Sequence, residues 1–259
     1  EAHEGNPLLL SADQREDAGI VVASVESRAL DEILRVPAEV RTNAYRSARV
    51  TTRMQAQVVE RHVQLGDHVK AGQPLVTLSS VAMAGAQGAL IVADRELQRV
   101  KSLGRQTIGE ARYIETQIAR QQAFAKVLAF GMQEQQVEEL LKSGNVVNAI
   151  GDFDLLSPLA GTVLDDDFVS GELIEPGRIL FEISDESVLW VEARIASGML
   201  SDIKPGTAAR ISVNGEDWFD GTVVQLQHHL NETTRTQGVR IAVDNPDDLL
   251  HPGQFAEAE

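Results

Sequence analysis

The chain has 259 residues, 43% of them hydrophobic and 4% aromatic, with no cysteine and a formal net charge of −16. This composition supports a packed core and argues against wholesale disorder, nucleic-acid binding, disulfides and thiolate chemistry. No apolar run reaches the roughly 18 residues of a membrane span.

The first 53 residues contain short apolar stretches with strand character. They lie at residues 20–22, 33–36 and 48–50, and Pro37 predicts a strand end or a sheet edge beside the second of them. This segment precedes the first copy of the repeat.

Residues 57–78 recur as residues 162–183. A shift of 105 positions aligns the two segments without a gap, which predicts one β-unit present twice. The matched pairs are Gly66 and Gly171, Asp67 and Glu172, Val69 and Ile174, Gly72 and Gly177, Leu75 and Leu180, and Leu78 and Ile183.

Each copy has an apolar side that it cannot bury alone, because isolated hairpins are marginally stable in water. We therefore expect the two copies to close on one another as a small sandwich. The residues predicted to face its core are Val58, Val63, Val69, Leu75, Leu78, Val163, Phe168, Ile174, Leu180 and Ile183.

The segment between the copies has a helical period. Spacings of three and four predict two helices that pack as an antiparallel coiled coil, with the turn between Gly104 and Gly109. The predicted seam residues are Met83, Ala86, Leu90, Ala93, Leu97 and Val100 on the first helix, and Ala111, Ile114, Ile118, Gln121, Ala125 and Leu128 on the second.

Strand patterns return from about residue 188. Four short candidates, separated by turn residues, predict a small barrel. They cover residues 188–195, 208–213, 221–226 and 239–243, and the early strands near residues 30–45 complete the barrel in this interpretation.

This arrangement resembles the periplasmic adaptor (membrane fusion protein) family of tripartite efflux pumps. The resemblance runs from about Leu8 to Phe255, and its most specific parts are VERHVQLGDHVKAGQPLVTLSS at 59–80 and SPLAGTVLDDDFVSGELIEPGRILFEISD at 157–185. The opening at 8–25 and the ending at 249–259 are similar to the heavy-metal cation branch.

The resemblance implies a mostly β fold: a split lipoyl-like sandwich, an antiparallel helical hairpin inserted between its halves, and a β-barrel. The implied domains are an N-terminal segment at 1–25, a remnant of a membrane-proximal domain; a barrel at 26–50 and 186–259; a lipoyl-like domain at 51–79 and 156–185; and a hairpin at 80–155.

The function implied by the resemblance is architectural. Family members link an inner-membrane transporter to an outer-membrane channel, assemble as rings of copies, and in the metal branch export divalent cations. The resemblance places the protein in the periplasm, attached to the inner membrane through a segment outside this chain.

Two features depart from the family pattern. Ala56 stands where the first half usually has a glycine, whereas Gly161 keeps it in the second half. The segment 99–110 lacks the arginine-leucine pattern with which many members contact their channel. The arginines near the predicted tip, Arg99, Arg105 and Arg112, are the candidate docking residues, and ordinary helix ion pairs are the alternative.

Histidine is the candidate metal ligand, since imidazole suits Zn, Cu and Ni. His228, His229 and His251 fall in the predicted barrel, with Glu232 and Glu257 as oxygen partners, and such a set would suit transient binding of Zn or another divalent ion. Neighbouring residues of a strand point to opposite faces, so His228 and His229 cannot both reach one ion without a bulge. His62 and His68 are expected to face solvent, and His3 to lie in a tail.

Two alternatives stay open at this point. One is an adaptor for drugs or other small molecules without metal binding, and the other is a lipoyl- or biotinyl-type carrier, with Lys70 as the lysine to modify. No Ser/His/Asp set, phosphate loop or HExxH motif occurs, so we expect neither an enzyme nor a resident cofactor.

Overall fold

The computed structural model describes residues 10–21, 33–143, 149–199 and 203–259. The chain divides into two units, residues 1–34 and residues 35–259. Among the described residues, no helix has the length and apolar character needed to cross a membrane.

The first unit contains the short helix α1, Ala12–Asp17. Ser11 caps it, since its hydroxyl accepts a hydrogen bond from the Gln14 amide while the Gln14 side chain accepts one from the Ser11 amide. The strand expected at 20–22 is wrong for Ile20 and Val21, which lie outside any strand, and Val22 falls outside the described residues, as does His3.

The second unit holds fourteen strands among its described residues. The strands that precede the helices are β1 Val36–Arg41, β2 Ser47–Thr51, β3 Ala56–Arg61, β4 His68–Val69 and β5 Pro74–Ser79. Those that follow are β6 Asp152–Leu156, β7 Gly161–Asp165, β8 Leu173–Ile174, β9 Ile179–Ser184, β10 Val188–Ala196, β11 Ala208–Ser212, β12 Phe219–Asn231, β13 Thr236–Asp244 and β14 Phe255–Ala258.

The repeat builds a sandwich of two four-stranded sheets, in the orders β2-β9-β7-β4 and β6-β5-β3-β8. The shift of 105 residues that relates the two copies also relates these sheets strand for strand. Each sheet therefore contains strands from both copies, and neither copy forms a sheet by itself.

The core of the sandwich is the one predicted. All ten residues expected to face it are at most 4% exposed. Phe168 packs edge-on against Phe181, with ring centroids 5.1 Å apart. The prediction of a mostly β fold built around a barrel and a sandwich is confirmed.

Two predicted boundaries are wrong. Strand β2 was expected in the barrel, but it pairs with β9 of the sandwich, and β6 was expected in the helical segment, but it pairs with β5. Both are outer strands, and they are equivalent under the same shift. Their sequences, SARVT and DFDLL, have no identical residue at any equivalent position, so the repeat could not be followed into them.

The barrel is closed in the order β1-β10-β13-β12-β11-β14. Strand β1 joins its two ends by pairing with both β10 and β14. Where the barrel closes, the Glu259 side chain is 4% exposed and binds Arg35 and Arg210, both of which lie over the Trp218 ring. This set ties the entry of the chain into the barrel to its last strand.

The helices between β5 and β6 are α2 Val81–Leu103, α3 Arg105–Ile108, α4 Glu110–Phe130 and α5 Glu134–Ser143. Helix α4 packs along α2, and we call these two the helix pair. Lys101 and Tyr113 line one end of the groove between them, while the Arg120 side chain binds Asp94 at 3.1 Å further from the turn. The two helices therefore run in opposite directions.

The predicted seam is right on α2 and wrong on α4. Five of the six α2 positions are buried and Ala93 is half-buried. On α4, the predicted residues Ala111, Ile114, Ile118, Gln121 and Ala125 are exposed, and only Leu128, which is half-buried, packs against the core as expected. Other residues of α4 that pack inward are Tyr113, Thr116, Arg120, Ala123, Phe124 and Val127. Helix α5 was not predicted.

Candidate functional site

At the end of the helix pair the chain turns at two glycines, one on each side of α3. Gly104 and Gly109 both have positive φ, at 80° and 85°, where a residue with a side chain is strained. They bracket the single turn of α3, so the chain reverses direction in two steps. Glycines five residues apart were visible in the sequence, but a helical turn between them was not expected.

Two of the predicted docking arginines share one carboxylate. Arg99 makes two hydrogen bonds to Glu96, at 2.9 and 2.8 Å, and Arg112 of α4 reaches the same group at 3.4 Å. Arg112 also binds Glu115 at 3.3 Å. The contact with Arg99, with Arg112 adding to it, lowers the pKa of Glu96. Glu96, a carboxylate expected to pair with arginines of its own helix, therefore also joins α2 to α4.

The third arginine lies at the turn itself. Arg105 faces Glu110 at 3.5 Å, and its guanidinium lies 4.2 Å from the centre of the Tyr113 ring. Contact with Tyr113, and then the charge of Glu110, raises the pKa of Arg105. All three arginines thus have partners within the chain, as expected if they form ordinary helix ion pairs. More than half of each side chain is nevertheless exposed, and docking by them stays a prediction.

A polar groove of about 490 Å³ lies between α2 and α4. Its walls combine the Asp94–Arg120 ion pair with the Phe124 ring, 4.9 Å from the Arg120 guanidinium. The inward face of α4 is therefore partly charged. This is why an apolar pattern alone did not identify it.

Several large apolar side chains lie on the outer faces of the helix pair. Ile114 and Ile118 of α4 are 46% and 49% exposed, and Val81 and Val92 of α2 are 92% and 61% exposed. Between these two valines, Gly85 and Gly88 have open space where a Cβ would stand. A helix interior loses about 1 kcal/mol for each glycine in place of alanine, and no contact within the described chain requires them.

The structure does not bring the candidate metal ligands together. His228 and His229 are exposed near the end of β12, whereas His251 lies in the turn before β14, 3.9 Å from Asp248. In the part of the chain that the structure describes, no three His, Asp or Glu side chains are close enough to hold a metal ion. A metal site formed by these histidines stays a prediction.

The lysine considered for a carrier is exposed beside a tight turn. The Lys70 amide donates a hydrogen bond to the Gln73 side chain, and the Gln73 amide donates one to the Lys70 carbonyl. The turn lies within the first copy of the repeat. The link between the copies is the helical segment instead.

Comparisons with known proteins agree with this architecture. Residues 46–185 match the family model described as the CzcB-like barrel-sandwich hybrid domain, and residues 188–259 match the CusB-like beta-barrel domain. The solved structure of ZneB from Cupriavidus metallidurans superposes with a TM-score of 0.56 at 26% identity, covering 87% of this chain and 96% of that one.

Two relatives named for cation resistance or efflux align with nearly the whole chain. The cobalt-zinc-cadmium resistance protein CzcB of Cupriavidus metallidurans is 27% identical over 99% of this chain and 50% of its own length. The cation efflux system protein CusB of Escherichia coli K12 is 24% identical over 99% of this chain and 59% of its own length. The chain therefore spans about half the length of the curated relatives it matches.

Proposed function

Because the chain belongs to the membrane fusion (periplasmic adaptor) family, through its CzcB-like barrel-sandwich hybrid domain, we propose that it is part of an adaptor for the efflux of divalent heavy-metal cations. The observation that carries this proposal is the CzcB-like match, which covers more than half of the chain. The relatives named for cation efflux support the choice of cargo.

In this proposal the helix pair is the antiparallel hairpin that reaches an outer-membrane channel, and the barrel rests on an inner-membrane transporter. The 23 residues of α2 give it a length of about 35 Å. The hairpin leaves the sandwich where a carrier domain would present its lysine. The protein therefore acts in the periplasm as a structural bridge rather than as a carrier or an enzyme.

Copies of the protein associate side by side in this proposal. The outer stripe of α4 has the spacing of a coiled-coil seam, at Ala111, Ile114, Ile118 and Ala125, and it is not covered within the described chain. The opposite edge of the helix pair is uncharged from Val81 to Val92, with Gly85 and Gly88 allowing close approach. Uncovered apolar residues on both helices support association between copies.

Metal handling by the protein itself is the finer part of the proposal. His251 with Asp248, and His228 or His229 on β12, offer sites of two protein ligands, which suit brief contact with a passing ion rather than storage. Calorimetry of the full-length protein with Zn²⁺ tests this part. Binding that disappears in His251→Ala supports it, and the absence of heat limits the protein to an architectural role.

Deletion of the full-length protein in its native host tests the main proposal. We expect lower tolerance to zinc, cobalt or cadmium, restored by the wild-type copy, and no change in tolerance to hydrophobic drugs. Loss of drug tolerance with metal tolerance intact would replace metal efflux by drug efflux. Fractionation of the same strain should place the protein in the periplasm.

A further inference from the structure

Three neighbouring strands of the sandwich present polar side chains on one outer face. Glu60 on β3 pairs with Thr77 on β5, and Thr77 pairs in turn with Asp154 on β6. Residues directly opposite one another on antiparallel strands lie on the same side of the sheet. Leu78 and Phe153, which adjoin this row, are buried on the other side, so the row faces away from the core.

His62, the residue after β3, joins this row at its centre. Its ring Nε2 lies 2.7 Å from the Thr77 hydroxyl oxygen, and that hydroxyl donates a hydrogen bond to the Asp154 carboxylate at 2.5 Å. The His62 Nε2 and the Asp154 Oδ1 are themselves 3.9 Å apart. We call His62, Thr77 and Asp154 the outer-sheet trio.

The backbone of the sheet holds the trio in place. The His62 amide donates to the Leu75 carbonyl at 2.9 Å, and the Asp154 carbonyl accepts from the Gln136 side chain at 3.2 Å. The side chains of His62 and Asp154 are 29% and 36% exposed, so dissolved ions can reach them. The trio is therefore positioned by the fold and open to solvent.

The hydrogen bonds also fix the position of the protons. An ionised carboxylate only accepts hydrogen bonds, and a hydroxyl has a single proton to give. Because Thr77 gives its proton to Asp154, it can only accept from His62. In a neutral His62 ring, Nε2 therefore carries the proton and Nδ1 carries none.

We propose that the outer-sheet trio binds a divalent cation of the Zn²⁺ class. Zn²⁺ binds imidazole nitrogen and carboxylate oxygen at about 2.1 Å, and twice this length exceeds the 3.9 Å between His62 Nε2 and Asp154 Oδ1. One ion therefore reaches both atoms. The ring proton of His62 moves from Nε2 to Nδ1, which frees Nε2 for the ion. The Thr77 hydroxyl and water complete the coordination, and Glu60 adds negative charge beside it.

This site is separate from the two-ligand sites proposed for His228, His229 and His251, since it lies on the sandwich and not on the barrel. Its third protein donor is a hydroxyl, so it does not require three His, Asp or Glu side chains. It does not depend on the adaptor role either, because it follows from the spacing of the donors on the sheet.

NMR spectroscopy of ¹⁵N-labelled histidine in the folded chain tests the proposal, since it reports on the ring nitrogens of each histidine separately. Zn²⁺ alone is added at about pH 7.5, where most histidine rings are neutral. We expect Nε2 of His62 to change from a protonated to a metal-bound nitrogen, while Nδ1 takes up the ring proton. A trio that only connects the strands would keep its tautomer at every concentration of Zn²⁺.

Two substitutions remove the ligands without removing the side chains. Asp154→Asn still accepts a hydrogen bond from Thr77 but loses the charge, and His62→Gln loses the imidazole. Each should weaken Zn²⁺ binding at the trio in calorimetry by at least about tenfold, since even the partners of a ligand are worth that much in metal affinity. Asp152→Asn is the matched control, because Asp152 lies two residues earlier on β6, on the same face and outside the trio. Circular dichroism verifies that each variant is folded.

The proposal is overturned if saturating Zn²⁺ leaves the His62 ring signals unchanged, or if Asp154→Asn binds Zn²⁺ as tightly as Asp152→Asn does. A response confined to the three barrel histidines would also overturn it and would locate the ion on the barrel. Failure of the adaptor role has a different result, namely unchanged metal tolerance after deletion, so the two outcomes are distinguishable.

Discussion

The two copies of the repeat have the same structure and differ in the segment of chain that follows each of them. Their turns exchange equivalent hydrogen bonds: the Gly66 amide donates to the Val163 carbonyl, and the Gly171 amide donates to the Val58 carbonyl. After β5 the first copy continues into the helices, and after β9 the second continues into the barrel. The repeat is therefore a common frame, and the two exits give the protein its different parts.

A buried side-chain amide secures each exit. At the first, Gln87 of α2 donates to the Asp152 carbonyl at 2.9 Å and accepts from the Gly151 amide at 3.1 Å. At the second, Asn245 accepts from the Leu249 and Leu250 amides and donates to the Glu186 and Leu250 carbonyls. Both amides satisfy backbone groups where regular strands stop.

The largest difference between the two copies is expected at Ala56 and Gly161, which are equivalent under the shift of 105 residues. A Cβ on Gly161 would stand 2.4 Å from the Ser184 carbonyl oxygen, so we expect Gly161→Ala to lower the free energy of unfolding by at least about 3 kcal/mol. Ala56→Gly should cost about 1 kcal/mol through added chain freedom. Chemical denaturation measures both, and equal effects would contradict the asymmetry.

Equivalent core positions should respond equally. Leu75 and Leu180 are 0% and 1% exposed, and each packs in a core that contains strands of both copies. We expect Leu75→Ala and Leu180→Ala each to cost about 3 kcal/mol. Leu65→Ala is the matched control, because Leu65 is exposed. A difference much larger than about 1 kcal/mol between the two core variants would show that one copy dominates the sandwich.

The exits should differ in the strength of their anchors. Asn245→Ala removes four hydrogen bonds at a buried site, whereas Gln87→Ala leaves the Gly151 amide and the Asp152 carbonyl without this partner. We expect a loss of about 2 kcal/mol for Asn245→Ala and somewhat less for Gln87→Ala. Thermal unfolding followed by circular dichroism measures both. If Asn245→Ala left the stability unchanged, the role of Asn245 as an anchor would be disproved.

The parts of the fold that sequence predicts are those fixed by local chemistry. The positive φ of Gly66, Gly72, Gly171 and Gly177 requires glycine at the turns, which made the repeat legible. The strand character of β2 was predicted but its place in the sandwich was not, and β6 was not predicted at all, because both strands are placed by pairing with distant strands. Their position depends on long-range hydrogen bonds that a one-dimensional pattern does not contain.

The helix pair shows why a periodic pattern can select the wrong face. Helix α4 has an apolar stripe through Ile114 and Ile118 and a second, mixed stripe through Tyr113 and Arg120. The mixed stripe packs inward because Arg120 finds Asp94 on α2. The charged tip residues were predictable as a set. Their pairing through Glu96 was not, since it joins two helices.

The smallest expected effect is a pH dependence of the stability, and it concerns the second exit only. Glu186 at that exit has a titratable carboxyl group, whereas Gln87 at the first exit has none. Burial raises the pKa of Glu186 above its ordinary value of 4.5, so the folded state binds its proton more tightly than the unfolded state. Its contribution to stability is therefore present below pH 4.5 and is lost as pH rises through the raised pKa. Glu186→Gln should be slightly more stable than the wild type at neutral pH and equal to it near about pH 4, when unfolding is measured across this range. Glu182→Gln should show no such gain, because Glu182 loses its Arg49 partner instead. A Glu186→Gln variant that is less stable than the wild type at neutral pH would mean that the charged carboxylate, rather than its neutral form, stabilises the connection between the sandwich and the barrel.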